Sequence, residues 1–192
     1  MNLTTRAARR GVAAAAMIAA AILVPTAALA TSGRPAAPAS TVAPKCATAA
    51  LSAWMPRLGS GYAGGAVYEL EISNISARAC TLYGFPGVSA LGSNGHQLGS
   101  PASWDHAHPS RMATLSPGAT AHAVLRIVDV SVFGNPKQPC HPTQAAALRI
   151  IPPNDRTSIE IPFSFNACAT PGPIYLSVRT TQSGAGIPNF SF

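Results

Sequence analysis

Four cysteines, Cys46, Cys80, Cys140 and Cys168, all lie downstream of an N-terminal segment built like an export signal, and nothing constrains the chain more. Cytosolic thiols are kept reduced, whereas an exported chain meets no such reductant. An even set of cysteines there reads as two disulfides rather than as nucleophiles or metal ligands. Four cysteines allow three connectivities. We expect the most local one, Cys46–Cys80 with Cys140–Cys168. The first bridge ties an opening strand to the corner before Leu82, and the second clamps a Leu148–Phe163 hairpin at its base.

Residues 1–30 have the three parts of a secretory signal peptide. Arg6, Arg9 and Arg10 give a positive start, and Val12 to Val24 form an uncharged apolar run that ends at Pro25. Ala28-Leu29-Ala30 is a small-x-small cleavage site, which puts the mature N-terminus at Thr31. The apolar run is short and alanine-rich for a span of about 20 residues, so cleavage is expected rather than an anchor. The residue directly after the cleavage site is Thr31, not a cysteine, so no lipid anchor is expected either. Arg9-Arg10 leaves the twin-arginine route open beside the general secretory one.

Removing that segment lowers the net charge from +7 to +4, because it carries three of the 13 Lys+Arg and none of the 6 Asp+Glu. The remaining arginines are scattered singly, without the basic runs that nucleic-acid binders use. No nucleic acid is expected as a partner. Only 10% of residues are charged while Gly and Pro are plentiful, which favours a loop-rich β-protein.

Residues 31–45 hold three prolines and little that could be buried, so they read as a linker. From Cys46 onward short apolar runs alternate with Gly and Pro. Ala66 to Ser73 is the clearest strand: Tyr68, Leu70 and Ile72 point one way, with Glu69 and Glu71 opposite in solvent. Ala119 to Val130 alternates in the same way after the Ser116-Pro117-Gly118 turn. Ile159, Ile161 and Phe163 form another period-two set, as do Ile174, Leu176 and Val178. Weaker strands are expected at Cys46–Trp54, Gly87–Leu91, His96–Gly99, Met112–Leu115 and Leu148–Ile151, with Gly92-Ser93-Asn94-Gly95 as a hairpin turn. Helical composition is confined to Gln144–Leu148 and Ala47–Ala53, both too short to anchor a fold. The expected fold is an all-β, immunoglobulin-like antiparallel β-sandwich of seven to nine strands over residues 46–182, with a C-terminal tail at 183–192.

Ser73-Asn74-Ile75-Ser76 through Cys80-Thr81-Leu82-Tyr83-Gly84-Phe85-Pro86-Gly87-Val88 resembles a conserved-looking block of one secreted actinobacterial family. That family is catalogued as domain of unknown function 4232. The likeness continues in Leu115-Ser116-Pro117-Gly118, Cys140, Pro142 and Cys168. The resemblance implies an exported envelope or extracellular domain and attaches no activity. In physical terms Gly84 and Gly87 let the chain bend while Phe85 plugs the core. A reading of Tyr83 and Phe85 as a ligand platform stands beside that one.

Trp104-Asp105-His106-Ala107-His108 is the one constellation with chemical potential. On a strand, His106 and His108 would face one side and share a metal, with Asp105 or His96 as a further ligand. Pro101 and Pro109 bracket the segment and argue for a loop. No serine sits in a G-x-S-x-G elbow, paired cysteines offer no thiolate, and the glycine run 59–65 lacks the Lys-Ser/Thr of a phosphate loop. Asn74-Ile75-Ser76 fits a glycosylation acceptor or a strand-end turn. The expectation is a non-catalytic binding or structural module, secreted or at the cell envelope. It would meet an unknown protein or envelope component, without cofactor, metal or stable membrane anchor. The alternatives are a metal-dependent enzyme using Asp105, His106 and His108, and an accessory domain that pairs with another exported protein by strand addition.

Overall fold

The period-two runs of the sequence become the long strands. A computed structural model describes residues 42–133 and 140–186. The signal at 1–30, most of the linker at 31–45 and the tail beyond 186 lie outside the described residues. The strands are β1 (Leu51–Trp54), β2 (Ser60–Tyr62), β3 (Gly65–Asn74), β4 (Cys80–Tyr83), β5 (Gly87–Leu91), β6 (Gln97–Leu98) and β7 (Ser103–Asp105). They continue with β8 (Met112–Leu115), β9 (Thr120–Val128), β10 (Pro142–Ile151), β11 (Ile159–Cys168), β12 (Leu176–Arg179) and β13 (Gln182–Ser183). Nine of the thirteen are four residues or longer, and the other four are short pieces, of which β6 falls within the expected His96–Gly99 strand. Two 3-10 turns, Thr48–Ala50 and Val130–Val132, are the only helical pieces among the described residues.

Two layers face each other. One sheet runs β1-β3-β9-β12-β7, with β2 beside β3 and β13 beside β9; the other runs β11-β10-β5-β6. The inward faces meet in one core. Leu70, Ala123, Leu125, Ile127, Leu176 and Val178 come from the first layer, and Val88, Ala90, Ala145, Leu148, Ile150 and Ile161 from the second. Each fully buried Leu or Ile contributes about 1.5–3 kcal/mol, so this shared face is what joins the sheets. The short ribbon β4–β8 caps one end over a satellite core of Leu51, Ile72, Leu82, Leu115 and Ala121. Among the named strands the arrangement is an antiparallel β-sandwich except that β7 pairs in parallel with β12; Lys45 and Thr81 add an isolated parallel bridge.

Both bridges form in the local pairing. Cys46–Cys80 fastens the chain ahead of β1 to β4, where Thr81 N–H also donates to Pro44 O at 2.8 Å. Cys140–Cys168 closes the mouth of the β10–β11 hairpin, in which Pro142 stands opposite Cys168. Each bridge closes a loop of the size that confers about 3.5–4 kcal/mol in the chain-entropy account.

Three expectations need correction. Gln144–Leu148 is strand, not helix. β11 pairs with this stretch from Gln144 and β5 joins on the other edge at Ala147, and that pairing overrides the helical preference of alanine. Glu71 is not in solvent: it is only 2% exposed, because the segment 184–186 folds across the outer face of β3 and β9. Phe85 is not a core plug; it stays half-buried at the surface.

Asn74 resolves the ambiguity of the Asn-Ile-Ser motif. Its Nδ2 donates to the carbonyls of Arg78 at 2.8 Å and Leu115 at 3.0 Å. Its Oδ1 accepts from Ser76 N–H at 3.0 Å and Ser76 Oγ at 2.8 Å. The residue is fully buried, so this asparagine locks a strand-end turn instead of offering an amide to a glycan.

Candidate functional site

The Gly84–Gly87 corner positions the site. Gly84 adopts φ +103°, a conformation that a side chain would strain, and so lets the chain turn between β4 and β5. Its carbonyl accepts three hydrogen bonds: from Thr181 N at 2.9 Å, Thr181 Oγ1 at 3.0 Å and Thr180 Oγ1 at 3.2 Å. Thr180 and Thr181 are buried at the end of β12, so the corner is pinned to the opposite layer.

The segment 97–105 runs along the side of the sandwich and belongs to both layers. β6 pairs with β5 in one sheet, Ala102 N–H donates to Val88 O at 2.8 Å, and β7 then pairs with β12 in the other. Trp104 sits on this switching segment. Its ring lies parallel to that of Phe85, with centroids 5.4 Å apart and planes at 14°. His106 packs against Phe85 at 4.7 Å and meets Trp104 edge-on at 6.4 Å. The result is a three-ring shelf, with Trp104 57% exposed. Tyr83, two residues before Phe85, and its ladder partner Met112 are also exposed.

Asp105 is committed to holding this shelf. Its Oδ2 accepts from Arg179 Nε at 2.9 Å and its Oδ1 from Ala107 N–H at 2.9 Å. The Arg179 hydrogen bond, followed by that of Ala107, draws its carboxyl below the usual carboxylate range. The segment is therefore not simply a loop: Trp104 and Asp105 are strand, and the chain turns at 106–108. His106 and His108 are both exposed there. Among the described residues no group of three or more His, Cys, Asp or Glu is arranged to hold a metal ion. His96 lies beyond the Gly92–Gly95 turn of the β5–β6 hairpin, with its N–H on Asn94 Oδ1 at 3.1 Å.

Polar groups also gather on the outer face and in a shallow groove, where most of them are engaged within the described residues. On the outer face, Glu71 and His122 are covered by the segment 184–186, which bonds to both. A shallow groove of about 400 Å³ runs past Tyr62, Tyr68, Asp129 and Asn166. In it, Asp129 accepts from Ser131 N–H at 3.0 Å and the Tyr62 hydroxyl accepts from Arg126 Nε at 2.6 Å. Periodicity alone could not bring out the shelf. The sequence offers Tyr83 and Phe85 as a platform, but the ring that stacks on Phe85, Trp104, arrives through the parallel pairing of β7.

The molecule is thus a disulfide-stapled β-sandwich with an aromatic shelf at one side, and among the described residues no helix is long and apolar enough to cross a membrane. Residues 46–182 match the family described as Domain of unknown function (DUF4232), and the chain belongs to it. No curated protein matches the chain.

Proposed function

We propose that this protein is an exported, non-catalytic binding module whose contact surface is the Trp104–Phe85–His106 shelf. The single observation that carries the reading is the exposed parallel stack of Trp104 on Phe85. Aromatic rings normally serve burial, and one held rigid at the surface beside polar groups marks a contact site. The two disulfides fit an oxidising setting outside the cytosol. Asp105 being occupied by Arg179 and Ala107 argues against the metal-dependent alternative.

Co-sedimentation of the purified protein with the insoluble cell-envelope fraction of the source cells tests this reading. Wild type is expected in the pellet and Trp104→Ala in the supernatant, with superimposable thermal melts. Equal sedimentation of the two overturns it.

A further inference from the structure

We propose that the face of Trp104 left open by Phe85 is a subsite for one sugar ring of a polysaccharide chain; this rests on the binding reading above. A pyranose presents a patch of C–H bonds on its face and hydroxyl groups around its rim. Its receptor needs a flat apolar plate with hydrogen-bonding groups at the edge. Trp104 supplies the plate, held flat by Phe85 at 14° and braced by His106.

The rim groups differ from the structural aromatics elsewhere in the protein. Trp54, also exposed, gives its Nε1–H to Ser73 Oγ at 3.4 Å, and Tyr175 gives its hydroxyl to Leu98 O at 2.8 Å. Trp104 Nε1 and the Tyr83 hydroxyl make no such bond within the described residues, although both side chains are half or more exposed. An amphipathic ring with an unused polar handle suits a ligand that is apolar on its face and wet at its edge.

Exposure also sets the size of the ligand. A small molecule bound tightly is 70–90% enclosed or more, whereas Trp104 stands out on a sheet edge. A ligand recognised there must extend across the surface, as a chain of sugars does. Nucleic acid fits less well, since Arg179 is already charge-paired with Asp105 and no basic track adjoins the shelf.

The test treats the envelope fraction before co-sedimentation, using periodate to cleave sugar diols, protease, or nuclease, in separate samples. Periodate alone is expected to abolish sedimentation of wild type, and a soluble glucan or mannan in excess should compete. Trp104→Ala is expected to bind about tenfold more weakly, the loss of one aromatic stacking contact. Trp104→Phe, which keeps the plate, should recover most of the binding. Trp104-dependent sedimentation that survives periodate and is lost to protease or nuclease overturns the sugar subsite and leaves the binding reading standing. Sedimentation that does not depend on Trp104 overturns both.

Discussion

Glu71 and His122 stand opposite one another in the β3–β9 ladder, and each holds a different backbone group of the same C-terminal segment. Glu71 Oε1 accepts from Gly186 N–H at 2.6 Å, and His122 Nδ1 bonds Gly184 O at 2.8 Å. The second carboxylate oxygen of Glu71 is buried with no hydrogen-bond partner. The segment thus covers a charged group that it satisfies only by half.

Glu71 should therefore make the protein less stable at neutral pH than in mild acid. Burial raises its carboxyl above the ordinary 4.5, and the Gly186 hydrogen bond, His122 and Glu69 adjust that shift without reversing it. A raised folded-state value means that protonation favours the fold. The associated stability is present below 4.5 and is lost as pH rises through the folded value. Glu71→Gln should raise the neutral-pH melting temperature by about 2–4 °C and flatten this slope, the size of shift that about 1 kcal/mol gives in such a domain. Thermal melts across the acidic range decide it. A variant that melts lower than wild type at every pH would show that the carboxylate stabilises the strap.

Replacing Asn74 should cost far more than its place on a strand end suggests. Asn74→Ala leaves the carbonyls of Arg78 and Leu115 and the Ser76 amide without their partner. The expected loss is about 2–4 kcal/mol, because the buried Leu115 carbonyl and the part-buried Arg78 and Ser76 groups lose their partner together. Urea unfolding measures it, and a loss under about 1 kcal/mol would mean that water replaces the side chain.

How much of this was legible follows the range of each contact. β3 and β9 could be read because burial on one side imposes alternation within a single run. The first half of β10 could not, since Ala145 to Ala147 carries no β-branched side chain and its strand state comes mainly from pairing with β11. β7 and the cover over Glu71 depend on partners more than seventy residues away, Arg179 for Asp105 and Gly186 for Glu71. The shelf needed both that long-range pairing and the bend at Gly84.

The two disulfides should contribute separately. Loss of Cys46–Cys80 frees the chain ahead of β1, whereas loss of Cys140–Cys168 opens the hairpin mouth. Paired Cys→Ser variants are each expected to lose up to about 3.5–4 kcal/mol. Their urea midpoints, compared with the four-serine variant, should be nearly additive, because the bridges sit in different cores. A midpoint unchanged in either pair would mean that its loop is already constrained in the unfolded chain.

His106→Ala with His108→Ala should leave the fold nearly intact. His108 is exposed, and His106 contributes two ring contacts, to Phe85 and to Trp104, at the rim of the shelf. A loss under about 1 kcal/mol is expected. Melts of wild type with and without chelator should superimpose. A chelator-sensitive wild type beside an insensitive double variant would establish a metal at these histidines and revive the enzyme reading.

The strand that changes sheets between Leu98 and Ser103 also has a mechanical consequence. Trp104 is anchored through hydrogen bonds to β12 in one layer and, a few residues back, through Ala102 to β5 in the other. Tension applied at the shelf is therefore shared between the β7–β12 pairing in one layer and the Ala102–Val88 hydrogen bond in the other. A tether built this way grips under pull, where a ring carried on a free loop would peel away one bond at a time.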